Sequence, residues 1–233
     1  VESYVHRIVL AQLPIRIHVN GSRGKSSVTR LIAAGLRSGG LRTFAKTTGT
    51  SPRIINEKGQ DQIIHRLRSA SIGEQIRLLR YLARKKPDAI ILECMAVNPQ
   101  YQWISEQRIV KSTLGVITNV RLDHLDEMGS KLEDIALSLS NTIPYNSTVI
   151  TSDKYSKKTL SQIARERDSL LEVAEENIDD NYMSKLPFIE HPENISLALK
   201  VCEKVGVKKD IALKGMLKTK PDPGALFVWN LQY

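Results

Sequence analysis

Aromatic side chains are scarce in this chain, cysteine is nearly absent, and acidic residues are outnumbered by basic ones. Phe, Tyr and Trp together make up 5% of the residues, too few for a platform on which successive nucleobases could stack. The basic residues are scattered rather than gathered into a stripe, so no nucleic-acid partner is expected. Cys94 and Cys202 are the only cysteines and lie far apart without a Cys-x-x-Cys pair. That favours a reducing, cytosolic setting over a disulfide scaffold. No apolar run approaches the roughly 18 residues that a membrane helix needs, and no signal peptide opens the chain. The first residue is Val1 rather than Met, so a fragment of a longer protein is expected, with room for an anchor upstream.

What is present fits an ordinary globular enzyme. The 233 residues, 41% hydrophobic and 25% charged, suffice for one good core. The net charge of +9 calls for an anionic partner or for an acidic segment outside this chain, and a polyanionic small substrate or polymer meets the first need.

Short apolar runs alternate with helix-like stretches. The run IRIHV (15–19), the stretch 26–40 ending at Gly39-Gly40, and LRTFAKT (41–47) form the first strand–helix–strand candidate. Residues 48–71 are polar and turn-rich and read as a long loop over one end of a sheet. A helix over 72–86 is stopped by Pro87 before the buried strand AIILE (89–93). Then come a helix near 101–111, the strand 114–120, a helix near 131–141, the strand 147–151 and a helix over 155–166. The strand 169–173 and helices near 192–204 and 209–217 follow. This alternation predicts an α/β fold with a mostly parallel sheet flanked by helices, whose ligands gather at the carboxyl ends of the strands. The domain is expected over 1–217, with 218–233 a tail leading out of it.

Four candidate sites follow such strand ends. In IHVNGSRGKSSVTR, Asn20, Gly21, Ser22, Arg23, Gly24, Lys25, Ser26 and Ser27 read as a phosphate-binding loop at the first strand's end. Glycines let the backbone turn its N–H groups toward phosphate oxygens, and the following helix adds its positive end. Lys25 would neutralise the β- and γ-phosphates, and Ser26 would hold Mg²⁺. The spacing is shorter than Gly-x-x-x-x-Gly-Lys-Ser/Thr, because Val19 stands where the first glycine belongs. Glu93, at the end of AIILE, is a candidate metal ligand, with a helix-capping surface carboxylate as the alternative. Cys94 reads as packing, since nothing adjacent marks a base for it. Asn119, Asp123, His124 and Asp126 crowd one turn in TNVRLDHLDEMG, a candidate second metal or phosphate site. Asn194 opens the amphipathic stretch HPENISLALK, where it could be a simple N-cap.

A guanine-nucleotide switch is one reading of these motifs. Asp126-Glu-Met-Gly129 matches D-x-x-G and Thr219-Lys-Pro-Asp222 matches T-K-x-D. Both motifs should directly follow strands in such a protein, and neither does here.

The segments GSRGKSS and TNVRLDHLD resemble the shortened phosphate loop and the Asn-x-x-x-Asp-His-x-Asp signature of the Mur ligase superfamily. That superfamily includes the peptidoglycan amino-acid ligases and folylpolyglutamate synthase, which stand as alternative readings. AKTTGTSPR, ECMAVNPQYQ, NTIPYN, NISLAL and PDPGA resemble, within it, the ligase subunits of poly-γ-glutamate synthases. The resemblance runs from about Ile15 to about Leu226 and implies an ATP-dependent amide ligase. In such a ligase a chain-terminal carboxylate is phosphorylated, and the amine of an incoming glutamate displaces the phosphate. It further implies ATP and Mg²⁺ as cofactors, Lys25 and His124 as catalytic residues, and Ser26, Glu93 and His124 as metal ligands. Asn194 would contact the nucleotide's base region. Glutamate and poly-γ-glutamate would be the substrates, membrane subunits of the synthase the partners, and the cytoplasmic side of the membrane the location. A homo-oligomer remains open. Lys46, Arg53 and Arg68 are candidate contacts for polymer carboxylates, with a solvated basic surface as the alternative. The chain departs from the family at Leu139, where a carbamylated lysine is common, and at Ala225, where an arginine often follows Pro-Gly. Family members also carry a membrane helix before the position of Val1 and a further domain after that of Tyr233. This chain is therefore expected to be the central ATP-binding domain, able to bind nucleotide but weakly active or inactive alone.

Overall fold

A computed structural model describes residues 2–49, 51–65, 73–175 and 177–223. Its strands are β1 (Ile15–Asn20), β2 (Thr43–Thr47), β3 (Arg53–Ile55), β4 (Asp61–Ile63), β5 (Ala89–Glu93), β6 (Leu114–Ile117), β7 (Thr148–Thr151) and β8 (Leu170–Val173). The helices are α1 (Glu2–Ala11), α2 (Lys25–Ser38), α3 (Gly73–Ala83), α4 (Pro99–Ile104), α5 (Leu125–Met128) and α6 (Leu132–Leu139). After them come α7 (Lys157–Glu166), α8 (Asp180–Met183), α9 (Pro192–Lys204) and α10 (Lys209–Met216). A π-helical stretch, Ser105–Val110, continues α4 and closes with Lys111 N–H on Glu106 O at 2.8 Å.

One sheet runs in the order β4-β3-β2-β5-β1-β6-β7-β8. The six strands β2, β5, β1, β6, β7 and β8 pair in parallel, as the strand–helix alternation predicts. The expected long loop over 48–71 is a correction: its described part folds as the antiparallel hairpin β3–β4 on the sheet's edge. Strands of three residues, RII and DQI, are too short to show an alternating pattern. The sequence also places no element before Ile15, whereas α1 packs there with Leu10 buried and Val5 and Ile8 left exposed.

The sheet's two faces follow from period-2 alternation. Ile17 and Val19 of β1 join Ala45, Ile91 and Val116 in a core with α2, α9 and α10. Phe44, Ile90 and Leu92 face the other way, against Leu10, Leu13 and α3. Ile117 and Val149 pack there on α6 and α7. Helix α2 lies between sheet and α10 and is buried along nine of its residues. It ends where Gly39-Gly40 predicts: Gly40 adopts φ 88°, and Leu41 N–H reaches back to Leu36 O at 3.2 Å. At Gly215 an added Cβ would stand 2.5 Å from Ala34 O, so α10 can press on α2 only through a glycine.

Candidate functional site

The site is built where β1 gives way to α2. Asn20 ends the strand on the face away from α2, its amide donating to Gln102 Oε1 at 2.8 Å and Thr142 Oγ1 at 3.1 Å. It is a buried anchor behind the loop. Gly21 then turns at φ 133°, and a Cβ there would stand 2.0 Å from Thr118 Oγ1 and 2.8 Å from Thr118 N. Gly24, the N-cap of α2, adopts φ 79°, with Asn194 Oδ1 2.8 Å from where its Cβ would lie. Both positions need glycine for conformation and for space.

The loop is pinned from the end of β6. Ser22 N–H donates to Asn119 O at 3.0 Å, and Ser22 Oγ donates to Arg121 O at 2.9 Å. Thr118 Oγ1 and Asn119 Nδ2 both donate to Arg23 O, at 2.6 and 3.1 Å. Lys25 folds back over the loop, its Nζ donating to Gly21 O at 2.7 Å and Ser22 O at 3.1 Å. The ammonium thus sits at the mouth of the loop beside the N–H groups of the first turn of α2, which have no intrahelical acceptors. A helix start and a cation converge on one spot, an arrangement suited to phosphate oxygens.

Glu93 is buried rather than a helix-capping surface residue. Its Oε2 accepts from Ser26 Oγ at 2.9 Å and from Thr48 N–H at 2.7 Å. A serine hydroxyl and a carboxylate oxygen facing one another beside a phosphate loop are hard oxygen donors, which fits Mg²⁺ with its remaining positions left to phosphate and water. Asp222, which belongs both to Thr219-Lys-Pro-Asp222 and to the PDPGA segment, lies beside them. Asp222 Oδ2 and Ser26 Oγ each lie 3.0 Å from where a Cβ on Gly49 would be, so that glycine keeps a narrow gap between the two. Only a distant chain segment doubling back brings Asp222 there, and although PDPGA is a resembling segment, nothing in its wording places it beside Ser26.

The other candidates fall into place unevenly. Asn194 is not the N-cap of α9; His191 is, and Asn194 sits in the first turn with Nδ2 donating to Glu190 Oε1 at 2.7 Å. Its side chain abuts Gly24, so α9 delivers it to the phosphate loop. Ser27 is partly exposed in the first turn of α2. Arg23 projects outward, its Nε 3.3 Å from Asp123 Oδ2. His124 adopts φ 49° with its side chain half exposed, 4.0 Å from Asp123. Among the described residues, no group of three or more His, Cys, Asp and Glu could hold a metal. Leu139 is buried in the core and offers no charge there.

Lys46, the candidate contact for polymer carboxylates, is a correction: neither that role nor a solvated surface fits it. It is fully buried, its Nζ 3.4 Å from Glu74 Oε1 and 3.7 Å from Met95 Sδ. Arg53 is partly exposed at the hairpin, 3.8 Å from Asp61, and Arg68 lies outside the described residues. Behind Glu93, Cys94 is buried as expected, and His18 lies near it as a protonated ring rather than a base. His18 is wholly buried, with Nδ1 2.7 Å from Glu106 Oε2. Burial by itself would favour the neutral ring, yet the proximity of Cys94 and Glu106, the latter hydrogen-bonded to it, outweighs this and raises the His18 pKa to about 10. The guanine-switch reading fails on the fold: Asp126 lies within α5, and Thr219 follows α10 rather than a strand.

The chain is 39% identical over 229 residues to PGA synthase CapB of Bacillus subtilis (strain 168), covering 97% of this chain and 58% of that protein. It is also 39% identical over 228 residues to the capsule biosynthesis protein CapB of Bacillus anthracis, covering 97% and 49%. It thus spans about half the length of these curated relatives. Its fold matches E. coli FolC in complex with DHPP and ADP, with a TM-score of 0.70 at 18% identity over 98% of this chain and 62% of that one. A bifunctional folylpolyglutamate synthase/dihydrofolate synthase with Mn, AMPPNP and L-glutamate bound gives a TM-score of 0.69 at 19% identity, over 95% and 61%. The family model of the Mur ligase middle domain matches residues 19–218, spanning the phosphate loop, Glu93, His124 and Asn194, and the chain belongs to that family.

Proposed function

We propose that the protein is an ATP-dependent amide ligase that adds glutamate to poly-γ-glutamate through an acyl phosphate. The observation that carries this reading is the convergence of Lys25, Ser26, Glu93 and Asn194 on one loop, in a chain 39% identical to a PGA synthase. Glutamate and the polymer are its substrates, and membrane subunits of the synthase are its partners. Among the described residues no helix is long and apolar enough to cross a membrane.

Each residue has a separable task. The loop backbone and the start of α2 bind the phosphates of ATP, and Lys25 releases its hold on Gly21 O and Ser22 O to meet charge on the transferring phosphoryl group. Asn194, held by Glu190, borders the loop at Gly24 and orients the nucleotide. Ser26 and Glu93 would hold Mg²⁺, which when bound supplies charge neutralisation to the phosphates. Asp123 steers Arg23 across the entrance, and His124 stands beside it where the acceptor carboxylate would approach. Arg53 contacts a carboxylate of the polymer from the sheet's edge. The net charge of +9 favours a polyanionic substrate by raising its local concentration.

The test is ADP release by the full-length enzyme with its membrane partners, measured with and without glutamate. Release that depends on glutamate and disappears in Lys25→Ala is the expected result. Release indifferent to glutamate, or surviving Lys25→Ala, would remove the ligase reading.

A further inference from the structure

A second cationic site lies further along α2, away from the phosphate loop. A cavity of about 340 Å³ opens between the second half of α2, the β3–β4 hairpin and the residues that follow α10. Arg30, Arg37, Lys58, Lys218 and Lys220 line it, and Glu57 is the only acidic residue among its lining. Arg30, 2% exposed, forms its floor toward the loop, paired with Asp61 at 2.8 Å and lying 3.8 Å from Asp222. Arg37 lies at the other end, where the hairpin's Gly59 approaches its guanidinium to 3.6 Å from a would-be Cβ. Three buried donors on lining residues have no hydrogen-bond partner: Arg30 Nε, Arg37 Nη1 and Thr219 Oγ1. Leaving such donors unmet costs free energy that an anion can recover.

The arrangement selects for shape as well as charge. Arg30 and Arg37 share one face of α2 seven residues apart, a rise of about 10 Å. Arg30 is already met by Asp61, so the open positive charge lies on Arg37, Lys58, Lys218 and Lys220, and a chain of spaced anionic groups matches that spread better than one compact anion. The lining holds no aromatic residue, so nothing there would stack on a nucleobase. Arg37, held by burial at a pKa of about 10 with Asp61 only partly offsetting this, is a cation short of counter-charge.

We infer that this cavity is a binding subsite for a run of spaced carboxylates, the distal part of an acidic polymer whose reacting end lies at the phosphate loop. The inference rests on the polymer reading above and adds a place where the product stays held between additions. Tethering through a second contact raises the effective concentration of the chain end at the reaction centre without any new contact there.

The experiment measures binding of a fluorescently labelled γ-linked glutamate oligomer to the full-length protein by anisotropy at fixed ionic strength, with an ATP analogue saturating the nucleotide site. Arg37→Gln combined with Lys218→Gln should weaken the oligomer by about tenfold or more while leaving affinity for the ATP analogue unchanged. If the double variant does not fold, Lys218→Gln alone, at an exposed position, should still weaken the oligomer measurably. Unchanged oligomer affinity in a folded variant overturns the inference. So does displacement of the oligomer by inorganic polyphosphate at lower concentration than by unlabelled glutamate oligomer, which would make this a phosphate site. The binding readout needs no turnover. An enzyme that releases ADP with glutamate yet binds the oligomer equally in both forms loses only the cavity, while one without glutamate-dependent release loses the ligase reading.

Discussion

Ser26 donates its hydroxyl hydrogen to Glu93 Oε2 at 2.9 Å, across 67 positions of sequence, and so ties the start of α2 to the end of β5. The parallel neighbours β1 and β5, with Val19 beside Glu93, make that contact inevitable once the loop has formed. If the pair holds Mg²⁺, Glu93→Gln should keep the fold, since the amide oxygen still accepts from Thr48. It should also reduce the gain in ATP-analogue affinity that Mg²⁺ provides, by about 10- to 100-fold. Calorimetry with and without Mg²⁺ measures this, and a variant with an undiminished magnesium effect would take Glu93 out of the metal site.

The two loop glycines should fail to different degrees. Gly24→Ala meets strain at φ 79° of about 1–2 kcal/mol, but the atom it meets, Asn194 Oδ1, belongs to a side chain that can give way. Gly21→Ala meets the backbone of Thr118 as well as its hydroxyl, and no rotamer relieves that. Thermal melts should show Gly21→Ala the less stable of the two, and both should lose ATP-analogue binding. Equal melting temperatures would contradict the packing described at Gly21.

The difference between what the sequence reveals and what it hides follows from distance along the chain. The strand, loop and helix over 15–38 are local, and glycine placement with apolar spacing displays them directly. Strand order is not local: β5 inserts between β1 and β2 only because the crossover through α2 passes over it. Glu93 and Asn194 could be singled out, the first because a polar residue ending a buried strand has few other reasons to be there. His124 illustrates the opposite case. Asp123, His124 and Asp126 crowd one turn in sequence, yet φ 49° at His124 turns its side chain half into solvent. Asp222 comes to the Gly49 side of Ser26 through a return of the chain after α10 that no periodicity announces, and Lys46 is buried against Glu74 and Met95 although a lysine reads as surface.

Lys46 should tolerate a change of charge better than a change of volume. Lys46→Met fills the same space, and Glu74, whose side chain keeps contact with solvent, can rehydrate once the ammonium is gone, so the cost should stay below the roughly 3–5 kcal/mol of a fully buried broken pair. Lys46→Ala leaves a cavity beside Phe44 and Leu92 and should cost about 2–5 kcal/mol. Urea titrations of both variants decide the matter. A Met variant as unstable as the Ala variant would mean that the charge itself holds this end of β2.

The His18–Glu106 pair gives the fold a pH dependence whose sign is fixed by the raised pKa. In the unfolded chain the imidazole titrates near 6.5, whereas in the folded protein it holds its proton to about 10. The stabilisation is therefore complete below pH 6.5 and is lost as pH rises toward 10, because there the folded state binds the extra proton. The slope contributed by this one group is at most about 1.4 kcal/mol per pH unit. Glu106→Gln keeps an oxygen for the Ser112 N–H, which Glu106 Oε1 accepts at 2.8 Å, but removes one of the two neighbours that retain the proton, Cys94 being the other. Its urea midpoint should fall below that of the wild type at pH 6, by about 3–5 kcal/mol in stability, and the gap should narrow as pH approaches 10. A gap that stays constant across that range would show that Glu106 supports the fold through its hydrogen bonds to Ser112 alone.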